Sequence, residues 1–163
     1  MLLRYRDYYE AFSCIAGRCP DSCCKEWEVL VDEETARRYL SLQGTLGDEL
    51  RRYLRQEDGD WYLTVTDGRC PMWRTDGLCR IQAEQGHEAL CQTCRDFPRL
   101  THDYGTFVER GLELSCPEAA RLIFGDQNPH WVEQEIPGDD APEYDPADME
   151  ILLETREKML TIL

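Results

Sequence analysis

Four thiols fall within the run CIAGRCPDSCC, which holds Cys14, Cys19, Cys23 and Cys24. This segment is too short and too polar to bury a core of its own, so something other than packing must hold it. Five more cysteines, Cys70, Cys79, Cys91, Cys94 and Cys116, lie in later segments that can fold back onto the first. Thiolates converging on a metal at about 2.3 Å are the chemistry that suits this pattern. The spacings Cys91-x2-Cys94 and Cys19-x3-Cys23 let two ligands reach one site from a single turn. Neighbouring side chains diverge in most conformations, so Cys23 and Cys24 are expected to serve different sites, or one of them to be spare. Nine thiols satisfy two four-thiolate sites with one left over.

Zinc and iron–sulfur clusters both accept all-thiolate shells. Three cysteines precede proline (Cys19-Pro20, Cys70-Pro71, Cys116-Pro117), as in bacterial cluster-binding runs that end in Cys-Pro. Only one CxxC exists and eight residues separate Cys70 from Cys79, so the tandem knuckles of a zinc ribbon are missing. The irregular spacing favours a cluster over zinc. The CxxxCxxC signature of radical S-adenosylmethionine enzymes is not met, because Glu26 stands where its third cysteine would follow Cys19 and Cys23.

Other chemistry-bearing residues carry weaker patterns. His87, His102 and His130 form no helical pair and no HExxH motif, which makes them surface or structural residues. Arg95 and Arg99 flank Phe97-Pro98 beside the CxxC. Their expected role is to bond carbonyls or to neutralise a thiolate-rich centre, and they are also the candidates for a substrate carboxylate. Glu118 and Arg121, three apart on one helix face, read as an ion pair. No GxGxxG follows a strand, no GxxxxGK[ST] occurs and no Ser/His/Asp set is spaced for catalysis, so catalytic residues stay unassigned.

Thirty-three acidic against eighteen basic side chains in 163 residues give a net charge of -15. That charge repels phosphate backbones and anionic membranes, so neither nucleic acid nor a membrane is an expected partner. No apolar run approaches the roughly 20 residues of a membrane span. The opening MLLRYRDYYEAF is charged at Arg4, Arg6, Asp7 and Glu10 and lacks the apolar centre of an export signal, which predicts a cytoplasmic protein. There thiols stay reduced, and an odd count of nine fits metal better than disulfides; an exported chain would instead carry four disulfides and a free cysteine.

The elements that must position these thiols are short. Residues 4 to 11 read as a helix carrying Tyr5, Tyr8, Tyr9 and Phe12 inward, and residues 26 to 31 as a strand entered from Cys23-Cys24. Asp32 caps a helix over 33 to 42 with Ala36, Tyr39 and Leu40 as its apolar stripe, ended by Gly44. Thr45 and Asp48 form a capping box for a second helix to about Gln56. Asp58-Gly59 turns into a strand over 61 to 66, and Asp67-Gly68 turns again. Cys79 to Leu90 gives two short helical turns broken at Gly86, residues 100 to 115 a hairpin turning at Asp103 to Gly105, and Pro117 a helix stopped by Gly125.

The stretch from Asp126 to Glu150 carries nine acids and no Lys or Arg. It predicts a solvated linker over 126–144, after which Asp145-Pro146 opens a last helix with Met149, Leu152, Leu153, Arg156, Met159, Leu160 and Leu163 in phase. That stripe runs to the final residue without a cap, which predicts the truncated start of a C-terminal helical part over 145–163. The expected fold class is α+β: a small, metal-nucleated, cysteine-rich domain over 1–125 with short strands and several helices, then the linker and the final helix.

Longer motifs tie the cysteines to a family. FSCIAGRCPDSCCKEWEVLVDEET, CPMWRTDGLCRIQAEQGHEALCQTCRDFPR and LELSCPEAARLI follow one another with non-cysteine landmarks at Trp27, Asp32, Gly77-Leu78, Phe97-Pro98-Arg99 and Glu118. In order and spacing, from about Tyr5 to Phe124, they resemble the flagellin lysine-N-methylase (FliB-like) family, which is related to the CxxCxxCC putative iron- or zinc-chelating domains. The resemblance implies a cytoplasmic methyltransferase that modifies lysines of flagellin with S-adenosylmethionine as donor and holds a 4Fe-4S cluster on its cysteines. Zinc is the alternative metal, and a non-enzymatic iron- or zinc-chelating module the alternative function. Members of this family are much longer than this chain.

Overall fold

The computed structural model describes residues 1–125, 128–138, 141–142 and 144–160. The chain forms two compact units, one of Met1–Ala11, Leu100–Leu112 and Asp126–Leu163, the other of Phe12–Arg99 and Glu113–Gly125. Its elements are mixed α and β, with seven α-helices and two small sheets among the described residues. No helix there is long and apolar enough to cross a membrane.

The first unit is built on a four-stranded sheet. Its strand β1 (Leu2–Arg6) pairs in parallel with β6 (Phe107–Leu112) and antiparallel with β7 (Trp131–Glu135), and β5 (Arg99–Asp103) adds an outer strand beside β6. This corrects the expected helix over 4 to 11. Leu3 and Tyr5 alternate with Arg4 and Arg6, the period of a strand with one buried face, and only Tyr8–Ala11 is helical (α1). Leu3, Tyr5 and Val108 form the buried cluster, with Met1, Tyr9, Val132 and Ile136 packed against it.

On the other face of β1, Arg4 lies directly across from Glu109, and Arg6 across from Trp131. The expected linker thus contributes β7 to the sheet, because Trp131 and Val132 give it apolar contacts on both faces. Helix α7 (Pro146–Leu160) begins where Asp145-Pro146 predicts. Along it Met149, Leu153 and Arg156 are half-buried, whereas Ile151, Leu152, Met159 and Leu160 are exposed; Leu163 of the expected stripe lies outside the described residues.

The second unit carries a three-stranded antiparallel sheet in the order β2 (Val29–Val31), β4 (Asp60–Leu63), β3 (Leu54–Glu57). The β3–β4 connection places Asp58 and Gly59 at φ 51° and 97°, the two left-handed positions of a tight hairpin. Helix α2 (Glu33–Ser41) is capped as expected, with Asp32 accepting from the Thr35 amide at 2.9 Å, but Leu40 is exposed rather than buried. Helix α3 (Gly44–Tyr53) starts at the residue expected to end α2 and stops before Leu54, which the β3 ladder takes. Thr45 and Asp48 form no capping box; Thr45 accepts from Arg80 and Asp48 pairs with Arg51. Gly47 permits the tight α2–α3 turn, since a Cβ there would stand 1.9 Å from the Leu42 carbonyl oxygen.

Val29, Val31, Ala36, Tyr39, Leu46, Leu50, Leu63, Met72 and Ile81 make the core of this unit. Each large apolar side chain so buried contributes about 1.5–3 kcal/mol. The remaining elements are short: α4 (Arg80–Gln85), a 3-10 turn at His87–Ala89, α5 (Gln92–Asp96) and α6 (Pro117–Gly125). The break between α4 and the 3-10 turn falls at Gly86, whose φ of 89° only glycine adopts freely.

Candidate metal centre

All nine cysteines belong to the second unit, and all nine line one cavity of about 170 Å³. None is joined in a disulfide. The first run reaches the cavity through a sequence of local turns. Cys14 accepts from the Ala16 amide at 3.4 Å, and the 3-10 turn Ala16–Arg18 ends with the Cys19 amide donating to the Ala16 carbonyl. The Cys24 amide donates to Ser22 Oγ at 3.1 Å, and Trp27 Nε1 donates to the Cys23 carbonyl at 2.8 Å.

Backbone pairing brings the second run alongside. The Cys70 amide donates to the Cys24 carbonyl at 2.8 Å and the Glu26 amide to Gly68 at 2.9 Å, around a bridge between Lys25 and Arg69. From Cys70 the chain loops back on itself through a Trp73–Cys79 bridge and an Arg80-to-Met72 amide bond of 2.7 Å, which returns Cys79 to the cavity as the residue before α4. Cys91 precedes α5 and Cys94 lies on its next turn. Two tethers fix this helix: the Gln92 amide donates to Asp32 Oδ2 at 2.9 Å, and Thr93 Oγ1 donates to the Leu30 carbonyl at 2.8 Å. Cys116 immediately precedes α6.

Contact with the Cys23, Cys70 and Cys79 thiols, with burial, pushes the Cys24 pKa far up. Its partners move the other way. The Cys24 hydrogen bond pulls Cys23 down to about 7, and with the Gln82 and Ile81 amides it pulls Cys79 down to about 6; it also lowers Cys70. Cys94 likewise keeps a proton that it donates to Cys91, raising the first and lowering the second. Cys23 and Cys24 interact with each other, yet Cys23 is exposed whereas Cys24 packs against the core. Burial pushes Cys116 up, against the Ala119 and Glu118 amides that favour its thiolate.

Among the described residues no three His, Cys, Asp or Glu side chains close on a point tightly enough to hold a single metal ion. The thiols instead surround a void. The donor set is all thiol, the ligand type that zinc and iron–sulfur clusters share. The walls between the sulfurs are apolar, from Val29, Leu63, Met72, Ile81 and Leu90. Trp27 and Phe97, with ring centroids 6.1 Å apart, add an aromatic edge.

The other sequence candidates are placed differently. Arg95 donates to the Glu88 carbonyl and to Gln92, and Arg99 donates to the Phe12 carbonyl at 3.0 Å while its guanidinium stacks on the Phe12 ring. Both bond carbonyls, and neither lines the cavity. Glu118 and Arg121 make a two-pronged ion pair at 2.6 and 2.8 Å. His130 pairs with Asp7 at 2.8 Å, whereas His87 lines the cavity, as does Asp21. Sequence spacing gave no sign of the last two, because neither sits in a ligand pattern with a cysteine.

Comparison with known proteins agrees with the motifs. The chain is 35% identical over 122 residues to the flagellar biosynthetic protein FliU of Salmonella muenchen, a match covering 71% of this chain and 72% of that protein. It is 35% identical over 122 residues to the lysine-N-methylases of Salmonella typhimurium and Salmonella choleraesuis, covering 30% of each. The matched stretch thus spans about three tenths of the length of those lysine-N-methylases. No family model and no solved structure matches the chain. At this identity and coverage the chain belongs to the flagellin lysine-N-methylase (FliB-like) family.

Proposed function

We propose that the chain supplies the iron–sulfur-binding portion of a protein lysine N-methyltransferase that acts on flagellin with S-adenosylmethionine as methyl donor. The observation that carries this reading is the convergence of nine free thiols on one apolar-walled cavity in a member of this family. Cys23, Cys24, Cys70, Cys79, Cys91 and Cys94 are the residues that would hold the cluster. When bound, a thiolate-ligated cluster supplies a compact, redox-capable centre in a dry wall.

The chain's own residues prepare that wall. Cys24 and Cys94 hold the protons that must leave as metal binds, and their partners are already biased toward thiolate. Met72 and Ile81, both buried, exclude water from the sulfurs. Tyr39, kept protonated by burial and by the nearby thiols, donates to the Ala89 carbonyl at 2.9 Å and fixes the segment leading into Cys91. Methyl transfer forms a C–N bond to lysine as the sulfonium C–S bond breaks, and it needs the amine deprotonated and aligned. A non-enzymatic chelating module is the second reading, favoured by the presence of all nine thiols among the residues that line the cavity.

The test is full-length protein purified without oxygen, analysed for iron, sulfide and zinc, and incubated with flagellin and methyl-labelled S-adenosylmethionine. Iron and sulfide in the protein, with label on flagellin lysines, is the expected result. A cluster-loaded protein that transfers no methyl group would leave the chelating module, and a colourless, zinc-loaded one would overturn the cofactor.

A further inference from the structure

We propose that α7 docks antiparallel against the α7 of a second copy of this chain, through a strip of exposed apolar side chains on the face it turns away from its own sheet. The proposal does not depend on what the thiols bind.

Two contacts fix which face of α7 looks outward. Arg156 donates to both carboxylate oxygens of Glu109 on β6, and Glu157 accepts from the Trp131 indole on β7. Met149, Leu153 and Arg156, spaced four and three residues apart, are half-buried and form the inner stripe. On a separate face, Ile151, Thr155, Met159 and Leu152 fall within about 100° of arc. No charged residue interrupts this arc between Ile151 and Met159. Ile151 and Leu152 are each 63% exposed and Met159 61%. A helix with apolar residues on two faces is normally covered on both, and a contiguous exposed apolar strip marks an interaction surface.

The charges bordering the strip indicate what covers it. The chain carries a net charge of -15, so two copies repel unless they meet at a locally balanced face. Glu154 and Lys158 edge the strip and pair with each other at 3.2 Å. In an antiparallel pair centred on Thr155, Ile151 of one copy lies opposite Met159 of the other. Lys158 then comes within two residues, about 3 Å along the axis, of Glu154 of the second copy, and the reciprocal pair forms by symmetry. Thr155, the smallest residue of the strip, faces its own counterpart where the helices cross. Parallel pairing would set Glu154 against Glu154 and Lys158 against Lys158, and a helix of one charge sign would match only half of the border. The strip is thus complementary to itself, as a two-fold interface must be. A helix of 15 residues is about 22 Å long, so a single pair lies at the small end of specific interfaces and gives a weak, reversible dimer.

The experiment follows the mass of the whole chain by sedimentation and light scattering from about 1 μM to about 300 μM, reduced and without oxygen so that no disulfide joins copies, at physiological salt. Wild type is expected to rise from the mass of one chain toward that of two. Ile151→Glu/Met159→Glu should keep the mass of one chain throughout, with an unchanged far-ultraviolet circular dichroism spectrum. Lys158→Glu and Glu154→Lys should each associate about 10-fold more weakly, and an equimolar mixture of the two should recover wild-type association. Both variants lack the Glu154–Lys158 pair within the helix, so recovery in the mixture reports ion pairs between copies. Wild type that stays at the mass of one chain overturns the pairing and leaves the strip to a different partner. Association undiminished in Ile151→Glu/Met159→Glu, or a mixture that recovers nothing, overturns it as well.

Discussion

The two units solve the same problem, holding short elements in place, by different means. In the first, which has no cysteine, β1 sits between two partners along most of its length, and its charged face is tied by side chains. Glu109 accepts from Arg156 at 2.8 and 2.9 Å and pairs with Arg4 at 2.7 Å. The guanidiniums of Arg4, Arg6 and Arg156 surround the Trp131 ring at 4.1 to 5.3 Å. In the second, β2 has three residues, and α4 and α5 have six and five. Helices that short do not persist on their own, and they stand around a cavity. Regular pairing runs through the first unit, whereas in the second a small sheet and core leave short elements gathered around a cavity lined by all nine thiols.

The largest expected effect separates the two directly. Thiolate-bound metal contributes on the order of 10 kcal/mol to the folding of small metallodomains. When a chelator strips an anaerobically loaded chain, amide-exchange protection should fall by roughly 100-fold or more in α4, α5 and β2, a loss of about 3 kcal/mol or greater. The β1–β6 and β1–β7 ladders should lose much less. Equal losses in both units would erase the contrast.

A smaller effect probes the first unit. Glu109→Gln removes the charge that two arginines share, and because Glu109 is largely buried while Arg156 is about a third exposed, the cost should be about 2 kcal/mol. Burial opposes ionisation of Glu109, but the Arg156 hydrogen bonds and the charges of Arg4 and Arg156 outweigh it and hold its carboxyl below the ordinary value of 4.5. A depressed folded pKa means that this stabilisation is fully present above the unfolded value and is lost as pH falls below it. Hydrogen exchange of α7 should therefore accelerate below about pH 4.5 in wild type. In Glu109→Gln it should be fast already and change less with acid; an α7 as well protected in the variant as in wild type would show that apolar contacts alone hold the helix.

What the sequence revealed follows from how local each signal is. Asp32 as a cap, the Asp58-Gly59 turn, the break at Gly86 and the α6 start at Pro117 are decided within a few residues, and each stands where its local chemistry puts it. The start of the chain misled because Tyr5, Tyr8, Tyr9 and Phe12 mimic a helical stripe, while the alternation of Leu3 and Tyr5 has meaning only once β6 and β7, more than a hundred residues away, pair with it. The strand β7 was hidden by the acids around it for the same reason. At the candidate site, that the thiols would gather was legible from residue type alone, and all nine line one cavity. Which of them touch was not, since the contacts among Cys24, Cys70 and Cys79 arise from the Cys24–Cys70 backbone pairing and the loop that returns Cys79.

The smallest effect lies where a local signal and the thiol cavity meet. Asp32 uses one carboxylate oxygen to cap α2 through Thr35 and the other to accept the Gln92 amide at the start of α5, each at 2.9 Å. Asp32→Ala should cost about 1 kcal/mol for the cap and a few tenths more for the second bond. Asp32→Asn keeps an oxygen for Thr35, but its amide nitrogen cannot accept from Gln92, so it should show the second loss alone. Because Cys91 and Cys94 flank and occupy α5, that second loss should appear as weaker metal loading as well as lower urea stability. Asp32→Asn is then expected to match wild type closely in exchange of α2 while exchanging faster in α5. If α5 and metal uptake are unchanged in both variants, Asp32 serves only as a helix cap, and the placement of the CxxC turn rests on Thr93 and the Leu30 carbonyl instead.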